Sequence, residues 1–232
     1  MTLDFKKEFW KNLDVKKFKN QFEQVERTSK GQAVSEDIWN QTVQLIIGQC
    51  DLNKESEMLD LCAGNGGLSL PVAKIIKSVV AADISYQLLE VLNENAVKEN
   101  ISNIETVCVD LMHFEFKKKF SHAIFYAALQ YFSEKEVIII FEKVYDALKD
   151  GGIFYIGDIP DQRKLWDFAN TIEYENDYFY RLKTDQPAIG YWFDQEFLVK
   201  LARYTGFSSS KIIQQQKWQS DSRYRFDIII KK

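Results

Sequence analysis

The sequence predicts an α/β fold with a doubly wound, mostly parallel seven-stranded sheet that ends in an antiparallel hairpin. In the middle of the chain, short apolar runs alternate with longer segments of helical periodicity. This alternation is typical of right-handed crossovers that place helices on both faces of a parallel sheet. Near the end, apolar segments at 211–217 and 223–231 are separated by a short polar stretch, which indicates an antiparallel pair of strands.

The central elements follow from periodicity and end signals. Strands are predicted for the apolar runs at 58–62, 79–82, 104–109, 123–126 and 153–157. Helices are predicted over 4–20, from Ser35, from Gly67, from Tyr86, and over 194–206. The strongest helix begins at Ser133, which forms a capping box with Glu136 and precedes an apolar stripe that reaches Leu148. Gly151 and Gly152 are expected to stop this helix.

Length and composition favour one domain over residues 1–232. Hydrophobic residues make up 46% of the chain, enough for one sizeable core. We expect an N-terminal helical segment at 1–50 and an aromatic insertion at 162–193. The insertion either acts as a lid over a bound substrate, closed from the other side by the segment around Arg27, or packs as an ordinary insertion.

Charge and cysteine usage limit the classes of partner. The chain has 30 basic and 34 acidic residues, a net charge of −4, and no overall basic excess of the kind that meets nucleic-acid phosphates. This balance predicts a small-molecule partner and no nucleic acid. Three cysteines without C-x-x-C spacing predict reduced thiols and no metal site. No apolar stretch is long enough to span a membrane, so no membrane association and a cytoplasmic location are expected.

The most informative segment is the run LDLCAGNGGLS at 59–69, where a buried strand leads through glycines into a helix. Glycine leaves no Cβ between the main chain and a ligand, and the following helix directs free N–H groups at it. A dinucleotide fingerprint, G-x-G-x-x-G, would need a third glycine where this chain has Ser69. Asp60 would also place a negative charge beside the phosphates, so a cationic ligand is favoured.

Acidic residues end three successive predicted strands. They are Asp60, Asp83 and Asp110. Asp83 follows Gly64 by 19 positions, where a carboxylate accepts both hydroxyls of a ribose. A single acid at such a place could instead cap the next helix. Three of them beside a glycine turn favour a ligand site.

This combination resembles the class I S-adenosylmethionine-dependent methyltransferases. The resemblance implies that S-adenosylmethionine is the cofactor and that the glycine turn surrounds its methionine part. It further implies that Asp83 holds the ribose, that Asp110 meets the adenine amino group, and that Leu111 lies beside the ring. The expected cofactor-binding residues are Asp60, Ala63, Gly64, Asn65, Gly66, Asp83, Ile84, Asp110, Leu111 and Tyr126.

Residues after the fourth and fifth strands are expected to meet the acceptor. The candidates are Asp158, as a base or an orienting group, with Gln130 and Tyr131 as hydrogen-bonding partners. Asp158 could instead cap a helix that begins near Asp161, and the other two could pack against Trp166. The D/N-P-P-Y/F turn of base-methylating members, the carboxylate of magnesium-dependent members and the paired glutamates of arginine methyltransferases are all missing here.

The expected activity is methyl transfer to an oxygen or nitrogen of a small molecule, with a glycan-pathway or secondary metabolite as the narrower candidate. Two alternatives stay open. One is a dinucleotide-dependent oxidoreductase, because the glycine turn and Asp83 also occur in that class. The other is a protein that binds the cofactor without turnover.

Overall fold

The computed structural model describes residues 4–29, 31–113 and 115–232, with the side chains of residues 4 and 5 left aside. Positions 1–3, 30 and 114 of the expected domain lie outside this description. The N-terminal segment contains α1 (Asp4–Lys11), α2 (Gln21–Gln24), β1 (Thr28–Ser29), β2 (Gln32–Ala33) and α3 (Glu36–Gln49).

The alternating region begins with β3 (Glu57–Leu61), α4 (Ser69–Ala73), β4 (Ser78–Asp83) and α5 (Tyr86–Lys98). It continues with β5 (Ile104–Cys108), β6 (Phe120–Tyr126), α6 (Glu134–Ala147) and β7 (Leu148–Pro160). The chain then forms α7 (Leu165–Phe168), α8 (Ile172–Lys183), α9 (Gln195–Thr205), β8 (Ser209–Gln214) and β9 (Arg225–Lys231).

Seven strands form the main sheet in the order β5-β4-β3-β6-β7-β9-β8. The first five strands of that order pair in parallel, and β9 pairs antiparallel with both β7 and β8. The predicted fold class, including the terminal antiparallel pair, is confirmed. The strand order reverses between β3 and β6, and in open α/β sheets ligands bind outside the carboxyl ends of the strands at such a switch point.

Two apolar clusters cover the two faces of this sheet. In β3, Leu59 and Leu61 point into the cluster formed with α6 and α9, whereas Met58 points into the cluster formed with α3, α4 and α5. All five residues of β3 are buried, because both of its faces carry helices. Burial of the apolar side chains of Met58, Leu59 and Leu61 contributes about 1.5–3 kcal/mol each, and this packing fixes the strand that leads into the glycine turn.

Most of the helix N-termini predicted from the sequence are present in the structure. Ser35, Ser85 and Asp194 accept hydrogen bonds from backbone N–H groups at the starts of α3, α5 and α9. Ser133 and Glu136 form the expected capping box of α6. Short polar side chains at these positions satisfy N–H groups that would otherwise lack partners, which explains why the caps were readable from sequence.

The prediction of a continuous helix over 4–20 is wrong. The helix ends at Lys11, and a short 3-10 turn and α2 follow. The side chain of Asp14 accepts the N–H of Lys16, and Asn20 accepts those of Phe22 and Glu23. Such local side-chain bonds compete with helix propagation and restart the chain in a new direction.

The fifth parallel strand is longer than predicted. It begins at Leu148, directly after α6, and continues to Pro160, so Gly151 and Gly152 lie inside it. A register irregularity between Ile156 and Ile159 adds a bulge near its carboxyl end. Asp158 therefore lies within a strand and does not follow one.

Among the described residues, no helix combines the length and apolar character that crossing a membrane would require.

Candidate active site

The glycine turn follows β3 directly and is fixed by backbone hydrogen bonds. Its Ala63 N–H donates to the carbonyl of Ala82 in the neighbouring strand, at 3.1 Å. Gly64 has φ of +58°, and a Cβ there would lie 2.9 Å from Cγ1 of Val25. Glycine at this position therefore permits both the left-handed backbone and the close approach of the N-terminal segment.

Asp83 supports the turn through its buried carboxylate. One oxygen accepts the N–H of Gly64 and the other accepts the N–H of Ser85, both at 2.8 Å. Only 7% of the residue is exposed, and this burial raises the pKa of Asp83. Because each carboxylate oxygen can accept two hydrogen bonds, both retain acceptor capacity toward the cleft.

Asp60 lies beneath the turn and is 2% exposed. Its carboxylate accepts a hydrogen bond from the Ser69 hydroxyl at 2.6 Å, and it forms no ion pair within the described part of the chain. Burial raises the pKa of Asp60 from 3.8 to about 7. The site thus contains an acid that would gain from a nearby positive charge.

Asp110 is shared between the cleft and the N-terminal helix. Its carboxylate accepts the N–H of Met112 at 2.9 Å and lies 3.6 Å from Nζ of Lys7. The same ammonium lies 3.2 Å from a carboxylate oxygen of Glu136, at the start of α6. Lys7 therefore links α1 to two elements at this end of the cleft.

The structure gathers most of the expected cofactor-binding residues around one cleft. Those that line it are Asp60, Ala63, Gly64, Asn65, Asp83, Ile84, Asp110, Leu111 and Tyr126. Gly66 is not among the residues that line it. A Cβ on Gly66 would lie 2.6 Å from Cγ of Leu92 and 3.2 Å from Cγ of Leu70, at a φ of +82°. Packing behind the turn therefore requires glycine at this position.

The N-terminal segment closes the cleft and supplies side chains that were not among the expected cofactor-binding residues. Lys7, Trp10, Val25 and Arg27 all line it. Asn65 connects the glycine turn to this segment, because its side-chain amide donates a hydrogen bond to the backbone carbonyl of Gln21 at 2.7 Å. The segment has no recognisable motif of its own. The one indication from the sequence was the expectation that the segment around Arg27 closes over the bound substrate.

Arg27 is the most unusual of these side chains. Its guanidinium carbon lies 3.6 Å from the ring centroid of Trp39 and 5.4 Å from that of Tyr126. Burial lowers the pKa of Arg27, and neighbouring acidic groups oppose that shift. It forms no ion pair with any residue that the structure describes, so a planar cation is presented at the wall of the cleft.

A second, larger cavity of about 670 Å³ adjoins the cleft. The residues that line both are Val25, Arg27, Tyr126, Ala127 and Tyr131. Gln130 and Asp158 line the second cavity as well, so all three expected catalytic residues face it. We call it the acceptor cavity.

Gln130 presents an unsatisfied acceptor in this cavity's wall. The residue is 5% exposed, and its amide nitrogen donates to the carbonyl of Ala127 at 2.8 Å. Its Oε1 atom is buried and has no donor among the described residues. The ring of Tyr131 packs on Trp10, whereas that of Trp166 packs on Tyr178 and Phe179.

Asp158 is held in a strained position by a polar network. Its φ is +62°, and its N–H donates to the buried carboxylate of Asp227 at 2.8 Å. Its own carboxylate lies 3.3 Å from Nη1 of Arg225 and accepts from the Gln215 amide at 3.3 Å. The alternative that Asp158 caps a helix is wrong, because Asp161 caps the following turn by accepting the N–H of Arg163. Left-handed backbone at a buried polar site is often associated with function.

The aromatic insertion contains a helix that the sequence reading missed. Thr171 caps α8, acids occupy its first turn and bases its last, which is the charge pattern that a helix dipole favours. No residue of α8 is buried. Tyr174 of α8 lines the acceptor cavity. So do Phe168, which precedes α8 in the sequence, and Ile189, which follows it.

Comparisons with known proteins identify the region around the cleft. Residues 58–152 match the family model described as "Methyltransferase domain". The magnesium protoporphyrin IX methyltransferase of Synechocystis, crystallised with bound S-adenosylhomocysteine, has the same fold at a TM-score of 0.67, with 14% identity over 99% of both chains. The family match shows a methyltransferase domain over residues 58–152, in agreement with the resemblance seen in the sequence, and it disfavours the dinucleotide-dependent oxidoreductase.

Curated relatives match only the cofactor-binding region. A probable ribosomal RNA small subunit methyltransferase A of Methanosphaera stadtmanae is 30% identical over 76 residues, which cover 33% of this chain and 28% of that protein. A probable cobalt-precorrin-6B C(15)-methyltransferase of Methanocaldococcus jannaschii is 36% identical over 61 residues, 26% of this chain and 33% of that protein. The chain thus spans about a third or less of these relatives.

The comparisons correct one prediction. The exclusion of nucleic acid as a partner is wrong, because several of the curated relatives are ribosomal RNA methyltransferases. The net charge of the chain alone therefore does not determine the class of acceptor.

Proposed function

We propose that this member of the class I S-adenosylmethionine-dependent methyltransferase superfamily transfers a methyl group from S-adenosylmethionine to a nitrogen or oxygen atom of an acceptor held in the acceptor cavity. The observation that carries the proposal is the wall shared by the cleft and the cavity, formed by Arg27, Tyr126 and Tyr131 with two small neighbours. Two sites joined in this way would bring two substrates together while excluding water.

The chemistry of the cleft fits the cofactor. Asp83 has acceptor capacity left for two ribose hydroxyls. Asp60 and Arg27, which both lack an ion-pair partner among the described residues, are opposite charges suited to a ligand with a cationic and an anionic group. When bound, the cofactor supplies an electrophilic methyl group on a sulfonium. We assign its ribose to Asp83 and its methionine part to the glycine turn, Asp60 and Arg27.

The acceptor cavity favours a group that carries a proton. The free Oε1 of Gln130 can accept a hydrogen bond from an N–H or O–H group, and satisfaction of this buried oxygen would contribute to binding. Asp158 provides a second oxygen on the same cavity, oriented by Arg225 and Gln215. These residues would orient the attacking atom, and Asp158 would take its proton where the acceptor is a hydroxyl.

The volume of the cavity suits a small metabolite, since ligand pockets of this kind range over about 300–1,000 Å³. We therefore propose a small-molecule acceptor, with a glycan-pathway or secondary metabolite as one candidate. The ribosomal RNA methyltransferases among the relatives favour an RNA base as the second candidate. The aromatic walls, which include Tyr126, Tyr131 and Tyr224, would stack on either.

A transfer assay tests the proposal. The protein would be incubated with methyl-labelled S-adenosylmethionine and, separately, with a small-metabolite extract and with total RNA. We expect label in one of these acceptors, and at least tenfold less with Gln130→Met, which keeps the size of the side chain but removes the amide, both its oxygen and the nitrogen that donates to Ala127. Binding of S-adenosylhomocysteine without transfer to either acceptor would instead support a binding protein without turnover.

A further inference from the structure

The N-terminal helix α1 forms one wall of the cofactor cleft. Lys7 and Trp10, one turn apart on α1, both line it. Lys7 holds the helix in place through the carboxylates of Asp110 and Glu136, at 3.6 and 3.2 Å. The indole of Trp10 packs on the ring of Tyr131, with the centroids 5.9 Å apart. The side chain is therefore held between the end of the cleft marked by Asp110 and the wall shared with the acceptor cavity.

Within this wall, the indole N–H of Trp10 has no acceptor. The Nε1 atom is buried, and no oxygen or nitrogen among the described residues accepts its hydrogen. A buried donor without a partner costs free energy, so native proteins rarely retain one without a reason. Trp39 offers an internal contrast, because its own indole N–H donates to the carbonyl of Gly67 at 2.9 Å.

We infer that Trp10 is a cofactor-recognition residue whose indole N–H donates a hydrogen bond to the nucleoside half of the bound cofactor. The inference rests on the proposed function, because it assigns a partner to a buried donor on a residue that lines the proposed cofactor cleft. Adenine ring nitrogens and ribose oxygens are acceptors of the required kind, whereas an indole offers only a donor. We place Trp10 at the nucleoside half of the cofactor because Lys7, on the same helix, contacts Asp110. Asp110 is the residue expected to meet the adenine amino group.

The substitution Trp10→Phe tests this inference, because it removes the donor and keeps an aromatic ring, although a smaller one, against Tyr131. The dissociation constant of S-adenosylhomocysteine, measured by calorimetry, should rise about three- to tenfold, as expected for loss of one neutral hydrogen bond. The melting temperature of the ligand-free variant should fall less than that of Trp39→Phe, because both variants lose the same ring area but only Trp39→Phe breaks a satisfied hydrogen bond. Trp218→Phe, in the exposed segment between β8 and β9, is the matched control and should bind as wild type.

Three results would overturn the inference. One is an unchanged dissociation constant for Trp10→Phe, and another is a ligand-free melting temperature lowered as much as by Trp39→Phe, which breaks a satisfied bond. If Trp10→Phe does not fold, the indole N–H resonance of Trp10 in ¹⁵N-labelled wild-type protein decides. A shift on addition of S-adenosylhomocysteine supports the bond, and no shift overturns it. Failure of the wild type to bind S-adenosylhomocysteine would overturn the proposed function itself.

Discussion

The cofactor cleft and the acceptor cavity lie side by side but are built in different ways. The cleft draws most of its wall from three short segments at 60–68, 83–88 and 109–111, each at the carboxyl end of a parallel strand. The acceptor cavity draws its wall from distant segments, which include the N-terminal segment, the loop after β6, the end of β7 and the region after β8. Under the proposed function, cofactor recognition is therefore mostly local in the chain, whereas acceptor recognition depends on how remote segments pack together.

The sharpest way to test this contrast is within the glycine turn itself. Gly66→Val should destabilise the protein by about 3 kcal/mol or more, because its side chain would overlap Leu92 and occupy a left-handed backbone position. Gly64→Ala also strains a left-handed backbone position, but its Cβ meets only the side chain of Val25, so the stability loss should be smaller and the fold should survive while cofactor affinity falls. Chemical denaturation with S-adenosylhomocysteine titrations checks both. Equal stability losses would mean that the two glycines have the same role.

The next largest effect concerns Asp158. Asp158→Asn preserves the side-chain size and tolerates the left-handed backbone, since asparagine is among the residues enriched there. If Asp158 takes a proton from a hydroxyl acceptor, kcat should fall about 100-fold with cofactor affinity unchanged. Asp51→Asn, another left-handed aspartate remote from both cavities, is the control. A wild-type kcat in the Asp158 variant would remove it as a base.

Asp60 should make the stability of the ligand-free protein depend on pH. Its pKa is raised by burial from 3.8 to about 7, so the folded state binds the proton more tightly than the unfolded chain. Stability should therefore fall as pH rises from about 4 to 7, by up to about 1.4 kcal/mol per pH unit, and level off above 7. The advantage of the wild type over Asp60→Asn in melting temperature should shrink over that range. A difference that stays constant with pH would contradict this assignment.

The smallest expected effect tests the acceptor side. Tyr174 of α8 lines the acceptor cavity although 57% of it is exposed, whereas Tyr180 of the same helix is 66% exposed and does not line the cavity. Tyr174→Ala should raise the KM for the acceptor about threefold with little change in kcat, because partial burial of one ring is lost. Tyr180→Ala should leave both unchanged. Equal behaviour of the two variants would indicate that α8 does not contact the acceptor.

The same contrast explains what the sequence could predict. Apolar runs, caps and strand-ending acids are local signals, so the fold class and the grouping of Asp60, Asp83 and Asp110 followed from them. The packing role of Gly66 depends on Leu92, which is 26 positions away, and no local pattern shows it. The network around Asp158 depends on Arg225 and its neighbours, nearly seventy positions later in the chain. Contacts over such separations appear only once the sheet is assembled.

The most direct test of the proposed cofactor site is calorimetric titration of S-adenosylhomocysteine into the wild type and Asp83→Asn. We expect one-site binding by the wild type and an affinity at least tenfold lower for the variant, because hydrogen bonds to a charged carboxylate contribute about 1.5–3 kcal/mol. Melting temperatures of the two ligand-free proteins would show that the variant remains folded. No binding by the wild type, or equal affinity in the two proteins, would contradict the assignment of the cleft.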